Sequence, residues 1–165
     1  MKKEIKSVMK TRQMGEIPYV YRDLDSTEEI KDKKVNSVHA YCFCDNKLVI
    51  VYAKEKRKWS PAGGGVEEGE SVEYAVEREV HEETNMKVLK QQVIGYIEVF
   101  EPNKISVQTR SICIVEPYGP FISDPDGDIT EIKLIDPKDY KQYFDWGETG
   151  DHIMQRTLEI LKILK

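Results

Sequence analysis

Arg78, Glu79, Glu82 and Glu83 lie close together in the chain, shortly after Glu70 and the glycine run Gly63-Gly64-Gly65. The stretch from Ser71 to about Thr84 contains neither Gly nor Pro and reads as a helix, so side-chain directions follow from a turn of about 100° per residue. On that wheel Val72, Ala75, Val76, Val80 and Met86 share an apolar arc. Glu79 and Glu83 fall inside the arc and Glu82 at its border, while Tyr74, Glu77, His81 and Thr84 point away from it. An acidic run on a helix ordinarily marks a solvated face. These carboxylates instead crowd against apolar surface, where they repel one another, lose hydration and need either raised pKa values or a cation. A hard divalent cation suits carboxylate oxygen; magnesium is the usual choice where a phosphate completes the shell, with manganese as a substitute. Arg78 precedes Glu82 by one helical turn and can pair with it or reach back to Glu70, fixing a ligand's orientation. The glycine run offers backbone that a ligand or metal can approach without side chains in the way.

The elements around these residues must position them. Ser71 is an N-cap type residue, Glu73 complements the helix dipole in the first turn, and Asn85 suits a left-handed stop. Before the helix, Val38 to Cys44 and Leu48 to Tyr52 flank Asp45-Asn46 and read as a hairpin. The basic stretch Lys54 to Lys58 then leads through Trp59-Ser60-Pro61 into the glycines, where neither a helix nor a central strand is expected. After the helix, Val88 to Phe100 and Ile105 to Val115 form a second hairpin around Glu101-Pro102-Asn103-Lys104. A Pro/Gly/Asp-rich loop, Glu116 to Gly127, precedes a strand at about Asp128 to Ile135. The segment Thr149 to Leu164 carries Ile153, Met154, Leu158, Ile160, Leu161 and Leu164 at helical spacing, the pattern of a core-packed helix. Residues 1–34 are polar except for Ile17 to Tyr21 and read as an N-terminal extension: one added strand plus a surface segment.

A chain of 165 residues suits one domain, residues 1–165, and 39% hydrophobic with 33% charged residues is a folding composition. The formal net charge is −5 and no long Lys/Arg run tracks a phosphate backbone, which argues against duplex nucleic acid as a partner. A small anionic substrate stays compatible with that charge if a metal screens it. No apolar run has the length of a signal peptide or membrane span, so no membrane association is expected and the reading is cytoplasmic. Cys42, Cys44 and Cys113 read as small core residues of a reduced protein. His39, His81 and His152 are too scattered for a zinc site to be assembled from spacing.

Residues 64 to 86 resemble the Nudix hydrolases. That family's signature is Gly, five residues, Glu, seven residues, Arg-Glu, an aliphatic residue, any residue, Glu-Glu, any residue, Gly and an aliphatic residue. Here it reads Gly64, Glu70, Arg78-Glu79-Val80, Glu82-Glu83, then Asn85 in place of Gly, and Met86. The departure is mild, because Asn also tolerates the left-handed conformation. With its flanking hairpins and terminal helix, the resemblance extends over about residues 36 to 165.

The resemblance implies an α/β/α sandwich around a mixed β-sheet and a loop-helix-loop that binds divalent cations. Carried over, Glu79, Glu82 and Glu83 are metal ligands together with the Gly63 carbonyl, and Arg78, Glu70 and Gly64 support them. Glu79, Glu82 and Arg78 then form the catalytic set. The implied activity is metal-dependent hydrolysis of a phosphoanhydride bond, the metal neutralising diphosphate oxygens and acidifying a bound water. The general base is Glu79, or a distal carboxylate such as Asp145 or Glu148; these last two serve equally as N-terminal charges of the last helix. Trp59, Tyr96, Phe100, Tyr118 and Trp146 could stack a base, although aromatic residues are more often core. Arg57 and Arg110 could hold phosphate, although lone arginines on strands and loops are usually solvated. Pro102 stands about as far past the signature as a proline found in some ADP-ribose hydrolases, and a hairpin turn explains it equally well. A nucleotide-like substrate of the ADP-ribose type is the first reading and a nucleoside triphosphate the second. A catalytically silent nucleotide-sensing module, removal of a 5′ end group from RNA, and assembly as a homodimer remain open alternatives.

Overall fold

Short-range pattern explains most of the elements. The structure is a computed structural model describing residues 2–125 and 127–165; Met1 and Asp126, which fall in the expected extension and loop, lie outside it. In chain order the elements are β1 (Glu4–Thr11), β2 (Gly15–Asp23), β3 (Ser37–Cys44), β4 (Lys47–Ala53), β5 (Lys58–Ser60), β6 (Ala62–Gly65), α1 (Val72–Thr84), β7 (Met86–Phe100), β8 (Ile105–Pro117), β9 (Ile129–Ile135) and α2 (Gly147–Leu164). Asp45 and Asn46 both take positive φ, 49° and 64°, as a two-residue hairpin loop that matches strand twist requires. The Ser71 hydroxyl accepts the Tyr74 N–H at 3.1 Å, and Asn85 ends α1 in the left-handed region at φ 55°. Both ends of the helix therefore lie where the local sequence puts them.

The strands form one sheet in the order β1-β2-β7-β8-β3-β4-β5, with β6 also on β3 and β9 on β4. β3 runs parallel to β8 and antiparallel to its other partners, so the sheet is mixed. Alternation along β3 sends Val38, Ala40, Cys42 and Cys44 to one face, where they pack with Ala75, Val76 and Val80 of α1. Tyr41 and Phe43 point to the other face and pack with Ile153, Met154 and Leu161 of α2. The result is an α/β/α sandwich whose two main cores are separated by the sheet. The three cysteines are buried and unpaired.

Two segments differ from expectation. Residues 4–23 form a hairpin, β1 with β2, rather than one strand, and β2 docks on β7 from Tyr19↔Val99 to Asp23↔Gly95. β1 escapes a hydrophobic reading because it is an edge strand in which only Ile5 is fully buried. The glycine run, expected to break structure, continues as β6 and pairs with β3 from Ser37↔Gly65 to Ala40↔Ala62. Packing decides this against propensity: a Cβ at Gly64 would overlap the Glu79 carboxylate, so the strand needs glycine to admit helix α1.

The N-terminal hairpin is clasped to α2 through Asp23, which is only 6% exposed. Asp23 Oδ1 accepts from the Tyr21 hydroxyl at 2.8 Å and pairs with His152 Nε2 at 2.8 Å; Oδ2 accepts the Lys3 N–H at 2.9 Å. Burial works to raise the Asp23 pKa, but the bonds from His152, Lys3 and Tyr21 and the charge of Arg156 hold it below the usual range. A depressed carboxylate contributes stability that is present above its unfolded pKa of about 3.9 and is lost as pH falls through the folded value. Asp23→Asn is therefore expected to lower the urea midpoint at neutral pH and to show a shallower loss of stability below about pH 4 than the wild type. Parallel acid limbs in the two proteins would show that the clasp does not carry this linkage.

Candidate active site

On helix α1, Arg78 is the hub that orients Glu79 and Glu82. Arg78 Nε and Nη2 grip the two Glu70 oxygens at 2.6 and 2.9 Å, a bidentate pair that holds the signature loop against the helix. Nη1 reaches Glu79 Oε1 at 3.0 Å and Glu82 Oε2 at 3.4 Å, and Nη2 also donates to the Gly65 carbonyl at 2.9 Å. Glu70 in turn accepts the Glu67 N–H at 2.7 Å, and the Arg78 guanidinium holds its carboxyl below the ordinary carboxylate range. One arginine thus fixes a loop carboxylate, two helix carboxylates and the end of the glycine strand.

Glu79 and Glu83 are each 9% exposed, on the inner side of the helix as the wheel places them, and Glu82 is half-buried. Glu83 Oε1 accepts the Gly63 N–H at 2.8 Å. Burial pushes the Glu83 carboxyl up to about 8; the Gly63 N–H opposes this, and the charges of Glu79, Asp124 and Asp128 add to it. Among the described residues no group of three or more His, Cys, Asp or Glu side chains converges closely enough to hold an ion as it stands. The reason is visible in the hydrogen bonds: Glu79 and Glu82 are turned to Arg78 and Glu83 to Gly63. The donor chemistry nevertheless fits a hard dication, since the oxygens are all carboxylate or backbone and excess negative charge surrounds a desolvated Glu83.

Beside this cluster opens a cleft of about 540 Å³ whose walls include His39, Lys58, Trp59, Glu83, Asp128 and Trp146. Trp59 and Tyr143 meet edge to face with centroids 5.9 Å apart, and Lys133 Nζ lies 5.0 Å from the Trp59 ring centroid. A roomier groove of about 840 Å³ borders Glu67 to Glu73 but is lined by none of Glu79, Glu82 and Glu83, whereas Glu83 lines the smaller cleft.

The family model of the NUDIX domain matches residues 33–156. The chain belongs to the Nudix hydrolase family. The Nudix fold recurs in solved structures. The Bacillus subtilis pyrophosphohydrolase BsRppH gives a TM-score of 0.71 at 18% identity, over 96% of this chain and 99% of that one. The NUDIX domain of Shewanella oneidensis NrtR, solved in complex with ADP ribose, gives 0.60 at 17%, over 81% and 92%. A protein described as an ADP compounds hydrolase gives 0.59 at 16%, over 97% and 92%. A comparison with curated protein sequences returned no match.

Within the Nudix fold, Gly63, Gly64, Glu70, Arg78, Glu79, Glu82 and Glu83 are brought together, and Trp59, Asp145 and Trp146 join them across the cleft. Glu148 is not part of that wall; it is exposed in the first turn of α2. Tyr96 is buried in a separate core, Tyr118 packs on His81 at 4.7 Å, and Pro102 sits exposed in the β7–β8 turn. Thr84 is 1% exposed rather than outward, its hydroxyl donating back to the Val80 carbonyl at 2.6 Å. Arg57 is exposed, with φ 53°, whereas Arg110 is 6% exposed, reversing the expectation that it is solvated.

Sequence reasoning missed Asp124, Asp128, His39, Lys56, Lys58 and Tyr143. The signal for the first two was present in the acidic run Asp124-Pro125-Asp126-Gly127-Asp128, but only the β4–β9 pairing carries Asp128 to the cleft and Asp124 within electrostatic range of Glu83.

Glu83 generates a signed prediction. Its folded pKa of about 8 exceeds the unfolded value of about 4.3, so the folded state binds the extra proton and stability falls as pH rises between the two. In EDTA, thermal melts from pH 5 to 8 should show this decline in the wild type and a flatter profile in Glu83→Gln. Identical slopes would mean that Glu83 titrates normally.

Proposed function

We propose that the chain is a divalent-metal-dependent pyrophosphohydrolase acting on a nucleoside-diphosphate-linked substrate, with ADP-ribose-like compounds ahead of nucleoside triphosphates. The observation that carries the reading is the desolvated Glu83 of the α1 carboxylate cluster in the wall of a cleft that also holds Trp59, Trp146, Lys56 and Lys58. The structural relatives, a pyrophosphohydrolase, a domain bound to ADP ribose and an ADP compounds hydrolase, support it.

Glu79, Glu82, Glu83 and the Gly63 carbonyl would hold magnesium, with manganese as a substitute. Once bound, such an ion supplies charge neutralisation at the diphosphate and an acidified water. The protein's own share is positioning. Arg78 sets the direction of Glu79 and Glu82 and is itself locked by Glu70. Lys56 and Lys58 attract the phosphates, and the aromatic walls take the base and exclude water. Glu79 is the proton acceptor on the helix; of the distal carboxylates, Asp145 is the candidate because it lines the cleft. The three buried free cysteines suit a reducing cytoplasm.

Phosphate release coupled to a phosphatase, from ADP-ribose, nucleoside triphosphates, dinucleoside polyphosphates and NADH, tests the proposal. Turnover is expected only with magnesium or manganese, and Glu82→Gln is expected to reduce kcat by at least about a hundredfold. Tight nucleotide binding without turnover would instead favour a sensing module. For the cleft walls, Trp146→Ala should raise KM about tenfold with little change in kcat if a base stacks there; an unchanged KM removes Trp146 from substrate recognition.

A further inference from the structure

Arg110 is a buried cation without an anion. Among the described residues no carboxylate lies within ion-pair distance of its guanidinium, which is 6% exposed on the α2 face of β8. Nη1 donates to His39 Nδ1 at 3.1 Å and to the Thr109 carbonyl at 3.2 Å, Nη2 reaches Gln108 Oε1 at 3.5 Å, and Nε has no acceptor. The Tyr41 hydroxyl, 0% exposed and within electrostatic range of Arg110, also has no partner. Arginine stays protonated in such a place, and an unpaired buried charge opposes folding, so its retention calls for a compensating anion.

The surroundings suit one. Arg110 lines a cavity of about 320 Å³ with Lys10, Tyr19, Trp146, Thr149 and Gly150. The first turn of α2 contributes the positive end of its dipole to that cavity. Asp145 opposes these charges from the rim, its Oδ1 already accepting the Gly147 N–H at 2.9 Å. Asp145 and Trp146 also line the substrate cleft, so the two spaces adjoin. In the sheet, Arg110 is level with His39, and His39 with Gly63. Two strand spacings, about 10 Å, therefore separate the Arg110 backbone from the strand that binds Glu83.

We propose that Arg110 is the anion-binding side chain of a second, metal-free subsite behind Asp145 and Trp146, and that it takes a phosphate group. The phosphate comes either from the substrate itself, which rests on the pyrophosphohydrolase reading, or from a free phosphate ion, which does not.

Binding of inorganic phosphate and pyrophosphate in EDTA, by calorimetry and thermal shift, separates this inference from turnover. The wild type should bind saturably with a rise in Tm, and Arg110→Met should lose at least about tenfold in affinity. The ligand-free Tm of Arg110→Met should equal or exceed the wild-type value, because an unpaired buried charge has been removed. Arg110→Lys, which keeps the charge, should retain part of the affinity. No saturable binding by the wild type, or equal binding by Arg110→Met and Arg110→Lys, overturns the proposal. So does a lower ligand-free Tm in Arg110→Met with its phosphate affinity unchanged, the signature of a structural cation.

If ADP-ribose is hydrolysed, phosphate that raises KM without altering kcat assigns the subsite to the substrate; a change in kcat alone assigns it to a free ion. Arg110-dependent binding in a protein that hydrolyses nothing would sink the enzymatic reading and leave this one standing.

Discussion

A helix that carries carboxylates on its inner side can approach a sheet only where the facing strand has no side chains, and this contact between α1 and β6 constrains everything around it. Gly64 leaves room for the Glu79 carboxylate, and the Gly63 N–H satisfies Glu83. With side chains at these positions, a Cβ at residue 64 would overlap the Glu79 carboxylate and one at residue 63 the Val38 carbonyl. The strand is thus held by what packs on it, and the helix acids are held by a strand that propensity alone would not form.

The same contact concentrates negative charge in a place with little water. Arg78 offsets part of it by spanning Glu70, Glu79 and Glu82, but burial first, and then the charges of Glu79, Asp124 and Asp128, leave Glu83 with its proton affinity raised. Across the sheet, Arg110 has the opposite problem, a positive charge with no carboxylate within ion-pair distance among the described residues. The molecule thus holds the two signs apart, Glu83 in the wall of the cleft and Arg110 in the cavity that adjoins it.

The second wall of that cleft depends on parts of the chain far from the signature. The Asp23 clasp ties β2 to His152, and the Tyr19 hydroxyl bonds Thr149 Oγ1 at 2.7 Å in the first turn of α2. Together these contacts tie the N-terminal hairpin to α2, whose start follows directly on Asp145 and Trp146.

The sequence by itself determined what depends on neighbours a few positions away. Alternation in β3 and β4, the Asp45-Asn46 turn, the Ser71 and Asn85 caps, and the inward aim of Glu79 and Glu83 all follow from backbone sterics and a fixed helical period. The resemblance over residues 64 to 86 is local for the same reason. Only the tertiary structure decided that the glycines continue a strand, that residues 4–11 pair at an edge, that Asp124 and Asp128 reach Glu83, and that Glu148 stays outside while Arg110 goes in. Each of these is fixed by strand register and by packing between segments remote in the chain. Such contacts leave no periodic trace in the residues that make them.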